Sequence, residues 1–171
     1  GFYKLGDAFK FADPDDPKQG LLFDGRIAED FKLATGTWVH VGPLRAKFID
    51  HCAPYVRDVV IAGADRDDIA VLVFPNFDAC RELCGEAGDS LSHPKLRGHF
   101  AKLLGTMARA STGSSTKICR ALLMDEPPSL DRAEMTDKGS INQRAVLNNR
   151  AALVAELYAD TPSSRVIGIE E

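Results

Sequence analysis

The sequence predicts a small α+β domain, a three-stranded sheet covered by helices, and three observations carry that expectation. Ile69 to Phe74 is a continuous apolar run of strand length, the pattern of a central strand buried on both faces. Leu96, Phe100, Leu103, Leu104 and Met107 form one stripe at helical spacing within Leu91 to Ala110. The elements follow the order helix, strand, strand, helix, helix, strand, helix, which fits helices packed over one short sheet. At 171 residues the chain has room for one good core and a small appendage.

Taken in order, residues 1–24 read as strands around a long polar turn. Phe2 to Leu5 and Ala8 to Phe11 have aromatic, alternating character, and Leu21 to Phe23 is an apolar run. Between them Ala12 to Gly20 holds two prolines and three aspartates, which is turn chemistry. These residues are too few to build a core and read as the edge of a larger domain. Pro43 to Ala53 is expected as a helix, since Leu44, Phe48 and Cys52 recur every fourth residue and Pro43 suits a first turn. Val56 to Ala62 and Ile69 to Phe74 follow as strands, Phe77 to Cys84 as a short helix closed by Gly85, and Ile118 to Met124 as another strand. A last helix spans Arg144 to Tyr158, with Leu147, Ala151, Val154 and Leu157 inward, and residues 161–171 form a tail.

Composition excludes several classes. The net charge of -4 lacks the basic excess of a general nucleic-acid binder. No run approaches the ~20 apolar residues that span a bilayer. Cys52, Cys80, Cys84 and Cys119 match neither a dense disulfide framework nor paired zinc ligands, and are expected as reduced thiols in a cytoplasmic protein. His40, His51, His93 and His99 are scattered, so no metal site is expected. Ser111 to Thr116 has the glycine and hydroxyls of a phosphate cradle without its spacing, and Ser114 and Ser115 lack the signature of a nearby base. Both read as loop. With no methionine at Gly1, the chain is expected to be a piece of something longer.

Chemistry concentrates in two glycine-bearing stretches. Leu21 to Val39 turns at Asp24-Gly25, presents Arg26, passes the acidic pair Glu29 and Asp30, and reaches Lys32 just before a second turn at Thr35-Gly36-Thr37. Two cations beside glycine turns belong at a junction rather than in a core. Thr136 to Asn142 carries Lys138, the only lysine after Lys117, among small residues ahead of a helix.

In this order and at these intervals GFYKLGD, FDGRIAEDFKLATGTWV and MTDKGSINQRAVL resemble the end of an AMP-forming acyl-CoA synthetase of the adenylate-forming superfamily, with the closest likeness to feruloyl-CoA synthetase and related aromatic-acid ligases. The resemblance implies a mobile C-terminal lid. Residues 1–24 would end the N-terminal AMP-binding domain as a short β-hairpin, 25–30 would be the hinge, 31–160 the lid and 161–171 the tail. It places the ribose-binding carboxylate on Asp7 and the nucleotide-binding arginine on Arg26. The hinge residue falls on Ala28, where the family has a charged side chain, with Glu29 or Asp30 beside it to take the polar role. Lys32, Gly36 and Thr37 fall on the segment that faces the CoA arm, and Lys138 on the lysine of the adenylation step. The family sets glycine before that lysine, whereas Gly139 follows Lys138 here.

The co-substrates implied are ATP with Mg2+, CoA and a carboxylic acid. The partner implied is the chain's own N-terminal AMP-binding domain, with neither nucleic acid nor membrane. The alternatives within the class are a fatty-acid ligase, another aryl-acid ligase, or an adenylating reductase domain. Outside it stands an interaction or regulatory module that kept the fold and lost catalysis.

Overall fold

The computed structural model describes residues 6–85 and 91–169. Strands β1 (Asp7–Phe11) and β2 (Leu21–Arg26) form an antiparallel hairpin around the expected polar turn. The expected strand at Phe2 to Leu5 lies outside the described residues. A single 3-10 turn, Ile27–Glu29, leads to a second, very short hairpin of β3 (Phe31–Lys32) and β4 (Trp38–Val39). Then come α1 (Val41–His51), β5 (Val56–Ala62), β6 (Ile69–Pro75), α2 (Phe77–Cys84), α3 (Pro94–Arg109) and β7 (Ile118–Leu123). Last are α4 (Gln143–Asn149), α5 (Ala151–Leu157) and β8 (Val166–Gly168).

The central sheet has the order β5-β6-β7-β8, with β6 and β7 parallel and the two outer pairs antiparallel. The parallel pair needs a crossover, and α2 and α3 supply it. Alternation along each strand sends Val59, Val71, Val73 and Leu123 to one face, against Phe48 of α1 and Phe100 and Leu104 of α3. Val60, Leu72, Phe74 and Leu122 go to the other, against Val146 and Leu157. Both faces of β6 are therefore buried, which is why its sequence is uninterrupted apolar.

Three expectations are revised. The sheet gains a fourth strand, because Val166–Gly168 of the expected tail pairs with β7, and Arg97 of α3 holds that segment by donating to the carbonyls of Arg165 and Val166. The single last helix is two: Arg150, at φ -109° and ψ 31°, breaks it into α4 and α5. The inward stripe shifts accordingly, with Val146 and Arg150 buried and Ala151 exposed. Helix α1 starts two residues before Pro43, since the Asp30 carboxylate reaches back to accept the Val41 backbone N–H at 2.9 Å. That remote cap satisfies a donor the helix itself leaves unpaired.

Candidate functional site

The first candidate cluster sits at the end of the β1–β2 hairpin. Asp7 and Arg26 are directly opposed across the ladder, so the structure brings the predicted carboxylate and guanidinium to neighbouring positions on one edge. Both are exposed. Arg26 Nη1 lies 3.8 Å from Glu29 Oε1, and burial pushes the Glu29 carboxyl above its usual range against the pull of Arg26 and Arg45. Lys10 pairs with Asp24 at 2.8 Å on the same hairpin. A cleft of about 460 Å³ runs between this edge and the domain that follows, lined by Lys10, Arg26, Glu29, Arg45 and Ser140 among others. Arg45 is itself held by a two-pronged pair with Asp58, at 2.8 and 2.7 Å. Asp7, Lys32 and Lys138 do not line this cleft.

The hairpin and helix α1 meet backbone to backbone. Gly25 has φ +113°, and a Cβ added to Gly42 of α1 would fall 2.5 Å from the Gly25 Cα and 2.7 Å from the Asp24 carbonyl oxygen. Only glycine at both places permits that approach. Ala28 contributes its carbonyl oxygen, which accepts a long 3.4 Å bond from Arg144 of α4. Asp30 is engaged with His40 Nδ1 at 2.8 Å as well as with Val41. Of the expected hinge residues, Ala28 and Glu29 lie on the 3-10 turn, while Asp30 is tied to the helix that follows.

Two lysine-bearing turns lie on the α+β domain that follows the hairpin. In the first, Leu33 donates to the Thr37 carbonyl, Gly36 takes φ +82°, and the Lys32 ammonium stands 5.0 Å over the Trp38 ring. Thr35 and Thr37 share a hydroxyl hydrogen bond at 3.1 Å. Ala34 N–H donates to the Arg66 carbonyl and Asp65 N–H to that of Lys32, so this turn sits beside the loop after β5. In the second, Met135 and Ile141 pair as an isolated antiparallel bridge, Thr136 N–H donates to Ser140, and Gly139 takes φ +79°. Lys138 stands at its exposed tip with no ion pair or hydrogen bond among the described residues. Met135 and Gly139 line a groove with Arg57, Asp58 and Pro75, which places this turn beside the start of β5. The two turns thus lie beside opposite ends of β5, a seven-residue strand roughly 20 Å long at ~3.3 Å per residue.

Sequence reasoning missed what anchors the second turn. Glu134, wholly buried, pairs with buried Arg150 at 2.7 Å. Arg150 Nε and Nη2 donate to the two carboxylate oxygens, and Nη1 and Nη2 also reach the carbonyls of Glu126 and Pro127. Nη1 touches Met124 Sδ, and the guanidinium lies 5.2 Å over the Phe74 ring. Every N–H of the side chain is thereby engaged. Arg150 holds the Glu134 carboxyl below its usual range. One signal was available: Arg150 falls four residues after Val146 and seven before Leu157, a charge inside an apolar stripe.

The family model of the AMP-binding enzyme C-terminal domain matches residues 31–162, and the chain belongs to that family. No curated protein matches it. Among solved structures, the adenylation domain of a carboxylate reductase from Mycobacterium chelonae superposes with a TM-score of 0.70 at 23% identity, over 94% of this chain and 23% of that one. The A domain of the carboxylic acid reductase from Segniliparus rugosus, in complex with AMP and a co-purified carboxylic acid, gives 0.68 at 21% identity over 92% of this chain and 23% of that one. An anthranilate CoA ligase in complex with anthranoyl-AMP gives 0.54 at 19% identity over 90% and 25%. These likenesses show the fold. The chain spans about a quarter of the length of those structures. Among the described residues, no helix is long and apolar enough to cross a membrane.

Proposed function

We propose that this chain is the swivelling C-terminal lid of an ATP-dependent, AMP-forming acid–CoA ligase, acting on an aromatic acid such as ferulate. The intact enzyme would join the acid to the α-phosphate of ATP, release pyrophosphate, turn the lid, and let the CoA thiol displace AMP. The observation that carries the reading is the placing of two lysine-bearing turns at opposite ends of β5. One rigid lid cannot present both to the same reacting centre at once, so two chemistries at one pocket call for two poses. Residues 25–30, with Ala28 and Glu29 on one short turn, would carry the change between them.

In the first pose Lys138 would approach the phosphates. Two anions must meet there and charge builds on the phosphoryl oxygens, so a flexible, unpaired ammonium serves the step. Arg26 would hold the nucleotide through its planar donors, and Asp7 would accept from both ribose hydroxyls. In the second pose the Lys32–Thr37 face would border the thiol arm, with Gly36 leaving the backbone open to it. Magnesium would travel with the phosphates of ATP, and among the described residues no cluster of three or more His, Cys, Asp or Glu would hold it.

The N-terminal domain would cover the β1–β2 hairpin. Phe9, Phe11, Leu21, Leu22 and Phe23 are 47 to 60% exposed, and Leu21, Leu22 and Phe23 are successive, so both sides of that hairpin lack cover. The four free thiols suit a cytoplasmic, reducing setting. The carboxylate reductase likenesses favour one second reading, an adenylating reductase domain whose thiol acceptor is a carrier arm rather than free CoA. In the full-length enzyme, pyrophosphate release against cinnamic, benzoic and fatty acids tests the acid class, and thioester formation with free CoA separates the two acceptors. Pyrophosphate release with no thioester on added CoA would overturn the ligase reading.

A further inference from the structure

We infer that Arg150 and Glu134 are positioning residues for the adenylation step, because their buried pair fixes the base of the turn that carries Lys138. The inference rests on the role proposed above for Lys138. The connection can be followed bond by bond. Glu134 takes part in the backbone scaffold of the turn: its carbonyl accepts from Asn142 N–H, and its own N–H donates to Ser129. The next pair outward is Met135 with Ile141, and beyond it Thr136 with Ser140, so Lys138 projects from a ladder whose first rung is Glu134.

That rung is clamped from outside the turn. The Glu134 carboxylate receives two bonds from Arg150 and one from Ser129 N–H at 2.9 Å. Arg150 also gathers the carbonyls of Glu126 and Pro127, and Asn149 Nδ2 donates to the carbonyl of Arg132. The connection from β7 to the turn is otherwise irregular, and Leu130 on it is exposed. With little apolar cover of its own, its course is set by polar ties to the break between α4 and α5. Asn142 closes the far side by capping α4, its side chain accepting from Ala145 N–H.

A lone mobile ammonium contributes to a transition state only when it arrives at the right place, and an error of about 1 Å can cost on the order of 10²-fold. Burying a charge pair is a poor way to add stability, but it fixes geometry well when every donor is engaged. The placing of Arg150 at a helix break, where it reaches four partners on one connection, fits the second purpose.

The test is a double-mutant cycle in the intact enzyme, with the two half-reactions followed separately. Glu134→Gln should lower the adenylation kcat about tenfold or more, leave the KM for ATP nearly unchanged, and spare thioester formation from supplied acyl-adenylate. In a Lys138→Ala background, Glu134→Gln should cost adenylation nothing further, since the group it positions is gone. Should Glu134→Gln fold poorly, the apolar pair Glu134→Met/Arg150→Met keeps the volume filled while releasing the carbonyls, and the same split is expected. Losses that multiply between positions 134 and 138, or equal loss of both half-reactions, would overturn the inference alone. A silent Lys138→Ala would instead overturn the role given to that lysine, and this inference with it.

Discussion

The α+β domain carries two turns built to nearly the same plan, and they differ in what their lysine touches. Each is a short antiparallel pair closed by a glycine with positive φ, and each presents one lysine. Lys32 rests on the Trp38 ring, and its turn is seated on buried Leu33 and Val39, with backbone ties to the loop after β5. Among the described residues Lys138 has no ion pair or hydrogen bond, and its turn is anchored below the tip by buried Ile141 and the Glu134–Arg150 pair. A lysine that already has an aromatic partner belongs to a finished surface, which works through shape and accessible backbone. An ammonium with no partner keeps its charge available for one that arrives later.

The sharpest way to break this contrast is Lys138→Ala in the intact enzyme. Adenylation should fall by about 10²-fold or more, the scale of one lost transition-state contact, while thioester formation from supplied acyl-adenylate stays near normal. Parallel loss in both would remove the distinction between the turns. Next in size is Gly42→Ala. Its methyl would meet the Gly25 backbone, so the pose in which Ser140 and Arg26 share a cleft becomes strained. Adenylation should drop about tenfold, from roughly 1–3 kcal/mol of overpacking, with thioester formation the less affected. The reverse pattern would assign the present pose to the second step.

Gly36→Ala sharpens the other side. A Cβ there meets no atom within 4 Å, so only the φ of +82° opposes it, at about 1–2 kcal/mol. Thioester formation should fall several-fold while adenylation holds, and equal sensitivity of the two rates would count against a thiol-arm face. The smallest effect is a change of slope in acid. Glu134 titrates below its ordinary value of 4.5, because Arg150 bonds to the ionised form. Its stabilisation is therefore complete above that value and fades as pH falls through the lowered native one. The gap in urea midpoint between the parent and Glu134→Gln should narrow below about pH 4.5, and a gap constant from pH 7 to 3 would contradict the assignment.

Much of the lid was legible because its signals are local. The β6 run and the stripe of α3 are written in consecutive or periodic residues, and both landed where expected. Strand β8 was not legible, since Val166–Gly168 is three residues long and depends on the open edge of β7 and on Arg97. The break at Arg150 was hidden because the apolar spacing runs straight through it. Its cause is a carboxylate sixteen positions earlier, on a connection without periodicity. Asp7 and Arg26 were found separately, by resemblance, and only strand pairing sets them opposite one another. The partner of the Lys32 ammonium, Trp38, lies six residues away, and no spacing rule for strands or helices marks a cation for an aromatic ring across so short a hairpin.

The β1–β2 hairpin has a practical consequence. Two strands with oily residues on either side, and no third strand paired to them among the described residues, cannot stand alone in water, and such ribbons recruit one another. A gene cut just ahead of Asp30 would leave that ribbon behind, keep the carboxylate that caps α1, and yield a domain that stays dispersed. A cut that keeps it would make the same domain clump, for reasons unrelated to how well the domain itself folds.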